Sequence, residues 1–179
     1  KSALDVLVSR LGQDRLANLS EIEKLCLLAG PGGELHVEDV LAAVGDGMGD
    51  LLEDCLYALF DGRRDEADRL IARVFDDGVQ PTQLVRRLLG HVDRLMTVRA
   101  RADAGEAVKL AMGKLQPRVF FKYEPRFLRQ VSLWNMDDLV RIQEALVRLE
   151  IDCKSTGLPA QALCQRAALS ISGAAGRRN

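Results

Sequence analysis

Along almost the whole chain, apolar residues return every three or four positions, the period of an amphipathic helix rather than of a strand. A first helix is expected from about Ser2 to Leu11, with Leu4, Leu7, Val8 and Leu11 facing inward. Gly12-Gln13-Asp14 interrupts it, and Asp14 is placed to cap a second helix running to Ala29. The inward stripe of that second helix reads Leu16, Leu19, Ile22, Leu25, Cys26 and Leu28. Gly30-Pro31-Gly32-Gly33 ends it, and a short helix from Glu38 to Val44 follows, closed by Gly45.

A second glycine-rich break, Gly45-Asp46-Gly47-Met48-Gly49, marks the expected boundary between two helical units. Beyond it the pattern predicts helices at about 50–60, 64–76, 80–103, 105–115, 125–133, 136–153 and 159–172. Asp61-Gly62 and Asp76-Asp77-Gly78 suit short links between antiparallel neighbours. The long apolar stripes are Leu84, Leu88, Val92, Leu95 and Val98, and then Leu139, Ile142, Leu146, Leu149 and Cys153. No stretch alternates polar and apolar residues long enough for a sheet, so the fold class is all-α, a helical bundle preceded by a small helical piece.

Composition agrees with a core of aliphatic side chains, since hydrophobic residues make up 47% of the chain and aromatics only 4%. No apolar run reaches the roughly 18 residues of a membrane span, and no signal peptide precedes the first helix. Cys26, Cys55, Cys153 and Cys164 form no CxxC pair, which reads as reduced, mostly buried thiols and a cytoplasmic location. Charge is segregated along the chain. Residues 1–85 carry 8 Lys/Arg against 17 Asp/Glu, whereas residues 86–129 carry 11 against 4. An acidic face and a basic face could follow, or simply solvated helix surfaces.

Candidate chemistry concentrates at Cys153-Lys154-Ser155-Thr156-Gly157, which has the Lys-Ser/Thr of a phosphate-binding loop. Such a loop needs a glycine-rich turn before its lysine, between strand and helix, and here the lysine ends a helical pattern. Gly157 instead suits a helix C-terminus, with Pro159 opening the next helix at its first position and Lys154 complementing the helix dipole. Neither His36 nor His91 belongs to a nucleophilic or metal-ligating motif, so no catalytic residue, cofactor site or metal site is assigned. The segment from Leu35 to Asp46 resembles a helix-turn-helix only superficially, because its would-be reading helix has no Arg or Lys. The stretch Arg118 to Glu124 interleaves Phe120, Phe121 and Tyr123 with Arg118 and Lys122. Aromatics among cations can stack bases, and they can equally plug helix onto helix. In an all-α core packing is the expectation, with Phe120 or Phe121 buried against the helix at 80–103.

The order of LGQDRLANLSEIEKLCLLAG, LHVEDVLAAVGD, QLVRRLLGHVDRLMTVRA, KLQPRVFFKYEPRFLRQVSLW and LVRLEIDCKSTGLPAQALCQRAAL resembles the C-terminal part of the DNA polymerase III delta subunit family, from the bacterial sliding-clamp loader. The resemblance covers essentially the whole chain and rests on the order and spacing of these stretches. It implies that residues 1–46 end a helical lid-like second domain and that residues 47–179 form the helical collar that assembles the loader ring. An N-terminal clamp-opening domain would precede Lys1, which fits a start without Met. The implied partners are the other loader subunits, of gamma/tau and delta-prime type, primed DNA in the assembled complex, and the sliding clamp through that preceding domain. No ATP hydrolysis is implied. Lys154, in a loop facing the ring interior, is implied as a phosphate contact on DNA. The rival reading, from the residues alone, is a stand-alone helical nucleic-acid-binding module using the basic region 86–129.

Overall fold

The computed structural model describes residues 2–11, 15–43 and 47–178. Among the described residues ten α-helices and one 3-10 turn account for the regular structure, and there is no strand. They are α1 (Ala3–Arg10), α2 (Arg15–Ala29), α3 (Val37–Ala43), α4 (Gly47–Phe60), α5 (Arg64–Asp76), α6 (Pro81–Asp103), α7 (Val108–Gly113), the turn Phe121–Tyr123, α8 (Glu124–Leu133), α9 (Met136–Lys154) and α10 (Ala160–Gly176).

Local chemistry explains many of the ends. Ser2 and Asp5 form a reciprocal capping box, Asp5 N–H donating to Ser2 Oγ at 3.3 Å and Ser2 N–H to Asp5 Oδ2 at 3.0 Å. The bond from the Ser2 backbone holds the Asp5 carboxyl below its ordinary range. Asn135 Oδ1 accepts from Asp138 N–H at 2.9 Å to start α9, and Pro81 starts α6 with its φ already set. Pro159 stands one residue outside α10, as its N-cap, rather than at the first helical position. The expected cap at Asp14 and the Gly45-Asp46 part of the boundary lie outside the described residues. The glycine-rich run does not separate helices throughout, since α4 already begins at Gly47.

Helix α6 is the axis of the larger core. Its stripe Leu84, Leu88, Val92, Leu95 and Val98 is buried as the periodicity predicts, and α9 packs along it through Leu139, Leu146 and Leu149. Helices α4, α5, α8 and α10 close the bundle, and α4 is buried almost all round from Leu51 to Phe60. Every fully buried member of this core lies between Leu51 and Ala175.

A second, small cluster holds Val6, Leu25 and Val40, one residue from each of α1, α2 and α3. Here the expected stripes need correction. In α1 the buried side chain is Val6, while Leu4 and Val8 are exposed. Among the described side chains of α2 only Leu25 is buried; Leu16 is 78% exposed, and Leu19, Ile22, Cys26 and Leu28 are exposed as well. Phe120 packs against both clusters and so joins them.

Candidate interaction surfaces

Among the described residues no three His, Cys, Asp or Glu side chains converge as metal ligands, and no helix is long and apolar enough to cross a membrane. The polar chemistry lies instead at helix junctions.

At the α9–α10 junction, Lys154 occupies the last turn of α9 and its Nζ lies 2.8 Å from Glu150 Oε1. Arg86 of α6 reaches the same oxygen at 3.3 Å, and the two cations, Lys154 foremost, keep the Glu150 carboxyl below its usual range. Gly157 takes φ +86°, the left-handed region expected of it, and Ser155 Oγ donates to Ile151 C=O at 3.0 Å. Beneath the loop, Cys153 Sγ and Cys164 Sγ lie 3.4 Å apart, with Cys164 buried against the Pro81 carbonyl. Burial and the Cys153 contact push the Cys164 thiol up to about 12.

The stretch at 118–124 behaves differently from its expectation. Phe121 is 38% exposed and Phe120 half-buried. The buried ring is Tyr123, stacked on Tyr57 of α4 with centroids 4.4 Å apart, and its hydroxyl donates to Asp54 Oδ1 at 2.7 Å. Lys122 Nζ lies 3.3 Å from the same oxygen. The packing is therefore against α4, through the tyrosine that periodicity did not single out.

Next to it is an ionic knot that the sequence does not announce. Asp61, at the end of α4 and almost fully buried, receives Arg126 Nε at 2.6 Å, Arg129 Nη2 at 2.8 Å and Gln130 Nε2 at 2.7 Å, with Arg63 at 3.9 Å. Gln130 continues inward to His91 of α6, and Trp134 Nε1 donates to Phe60 C=O at 3.0 Å. Burying a carboxylate is tolerable only with such partners. The available signal is Gln130, a polar residue on the apolar face shared by Phe127, Val131 and Trp134; Asp61 itself suits no more than a short link between helices in the sequence.

These contacts also revise the picture of an acidic and a basic face. Lys122, Arg126 and Arg129 of the basic stretch pair with Asp54 and Asp61 of the acidic half. Desolvation raises the Glu53 carboxyl on α4, opposed by Arg94 and Arg87. Much of the segregation along the chain is thus neutralised inside the fold.

Two helix faces present apolar side chains outward. Helix α2 shows Leu16, Leu19, Leu27 and Leu28, beside an open depression of about 640 Å³ lined by Ile22, Cys26, Leu27 and Pro31. Helix α9 shows Val140, Val147 and Ile151, a stripe repeating at seven and four residues on its outer side. Side chains so arranged suit contact with another helix rather than catalysis.

No protein-family model matches the chain, and no curated protein sequence does. Among solved structures, the Bacillus subtilis DNA clamp loader delta protein (YqeN) superposes with a TM-score of 0.67 at 19% sequence identity. The match covers 95% of this chain and 50% of that one, so the chain spans about half the length of that relative in fold.

Proposed function

We propose that the chain is the C-terminal region of a delta-type subunit of a DNA polymerase III clamp loader, working through protein interfaces rather than catalysis. The observation that supports this reading best is the fold likeness to a clamp loader delta protein over 95% of the chain, added to the order of stretches that resembles the same family. In this reading residues 1–46 end a lid-like domain and residues 47–179 form the collar. The concentration of buried core between Leu51 and Ala175 accords with that division.

A collar holds subunits in a ring by laying bundle against bundle, so its working surface is an apolar helix face with a polar rim. The outer stripe of α9 has this character, with Arg141, Glu144 and Arg148 beside it. Its partners would be gamma/tau-type and delta-prime-type subunits, with primed DNA inside the ring and the sliding clamp reached through a preceding domain. Lys154 would contact phosphate there, released from Glu150.

The test is assembly. Tagged chain mixed with purified gamma/tau-type and delta-prime-type subunits should elute with them on size exclusion, and Val147→Asp with Ile151→Asp should abolish co-elution without loss of helicity. A chain that stays separate from those subunits at micromolar concentration overturns the proposal.

A further inference from the structure

We propose that the arginines gathered around the Phe60–Arg64 turn form a binding surface for the phosphodiester backbone of nucleic acid. The site does not rest on the clamp-loader reading, because the chain alone carries it. Three stretches remote in sequence meet at this turn. The Asp61 carboxylate gathers Arg126 and Arg129 from α8. The Phe60 carbonyl holds the Trp134 indole, over which Arg178 lies with its guanidinium carbon 5.9 Å from the ring centroid. Gly62, at φ +76°, touches the end of α10 so closely that a Cβ on it would sit 2.6 Å from Gly176 N. Arg63 and Arg64 follow directly on one side of that contact, and Arg177 and Arg178 on the other.

The guanidinium groups of Arg63, Arg126, Arg129 and Arg178 thus meet at one corner of the bundle, with Arg64 and Arg177 next to them in the chain, and the ion pairs there among the described residues involve three carboxylates: Asp61, Glu66 with Arg63, and Asp138 with Arg178. The six arginines thus stand against three carboxylates in these ion pairs. Arg63, Arg64, Arg129, Arg177 and Arg178 are exposed, and buried Arg126 Nη2 has no hydrogen-bond partner. Asp61 fixes the α8 pair in place, so little side-chain freedom is left to lose when an anion arrives.

All six cations are arginines, whose forked donors match phosphate oxygens two at a time. None of the large apolar side chains exposed among the described residues lies on 60–64, 126–134 or 173–178. A protein partner would call for an apolar centre, which this surface lacks, whereas a polyanion needs none. With Trp134 buried there is no ring at the surface to stack a base, so recognition is of backbone and independent of sequence.

The probe is a fluorescein-labelled oligothymidylate of about 20 nucleotides, titrated with the full chain and followed by anisotropy across a salt series. Arg64→Gln with Arg177→Gln, both outside the Asp61 network, should weaken binding about tenfold and lower the log–log salt slope by about 0.7 per arginine. Arg101→Gln with Lys109→Gln removes equal charge from α6 and α7 and should change neither. Arg64→Lys with Arg177→Lys should restore the slope, and circular dichroism should show all variants folded. Equal losses in the two glutamine pairs, or no loss in the first, overturn the site. So does a chain that binds polyglutamate while leaving the oligonucleotide free, which would make the corner a docking surface for acidic protein.

Discussion

His91 Nε2 and Gln130 Oε1 lie 2.8 Å apart in the middle of the core, and the bonds around them settle which atom donates. Gln130 Nε2 already donates to Tyr57 C=O at 3.2 Å and to Asp61 Oδ1 at 2.7 Å, so its Oε1 is the acceptor and His91 carries its proton on Nε2. Nδ1 is then bare, and it has no hydrogen-bond partner. Protonating it would bury an unpaired N–H among Tyr57, Phe60 and Phe127.

Burial accordingly lowers the His91 pKa to about 4 from an ordinary 6.5. Between these values the unfolded chain binds the proton and the folded chain does not, so stability rises with pH across the window and is lost as pH falls from 6.5 toward 4. The loss should amount to roughly 3 kcal/mol. Urea unfolding at a series of pH values should show wild type declining more steeply than His91→Asn through this range. Parallel curves would remove His91 as the cause.

Asp61 should be the most sensitive charged position in the bundle. Asp61→Ala leaves part-buried Arg126 without its carboxylate and Gln130 with one acceptor fewer, and should cost about 3 kcal/mol. Glu66→Ala, which removes only the exposed pair with Arg63, should cost no more than about 1 kcal/mol. Similar midpoints for the two variants in denaturant would contradict the buried-network account.

The thiols of Cys153 and Cys164 should cross-link. At 3.4 Å they need little movement to reach the length of a disulfide bond, about 2.05 Å. Exchange with oxidised glutathione should begin at half-buried Cys153, because the Cys164 thiol is pushed up to about 12 and supplies almost no thiolate. In a Cys26→Ser background, intact-mass analysis should find an internal disulfide, two hydrogens lighter. A product carrying glutathione at Cys153 that never resolves would show the pair too constrained to close.

Residues 47–178 should fold without the segment before them, since every buried member of the larger core lies inside that range. Expressed alone, the segment should unfold in a single cooperative transition. Phe120 packs on both clusters, so it becomes more exposed there, and Phe120→Ala should destabilise the segment less than the full chain. A segment with no cooperative transition would mean that the small cluster is needed for the large one.

The chain's local patterns determine its helices and several of their faces. A period of 3.6 residues carries over into α6 and α9 with their buried leucines, and the left-handed glycine expected at Gly157 carries over into the α9–α10 loop. Periodicity identifies residues that share a face, but it does not say what covers that face. Leu88 on α6 and Leu16 on α2 stand in similar stripes; the first is fully buried in the larger core, while the second meets solvent. Charge patterning fails for the same reason, because Asp61 and Arg126 are far apart along the chain and 2.6 Å apart in space. Only the packing of α4, α8 and α10 around α6 brings Arg63, Arg129 and Arg178 to one corner, since that proximity depends on how helices pack and not on any order within them.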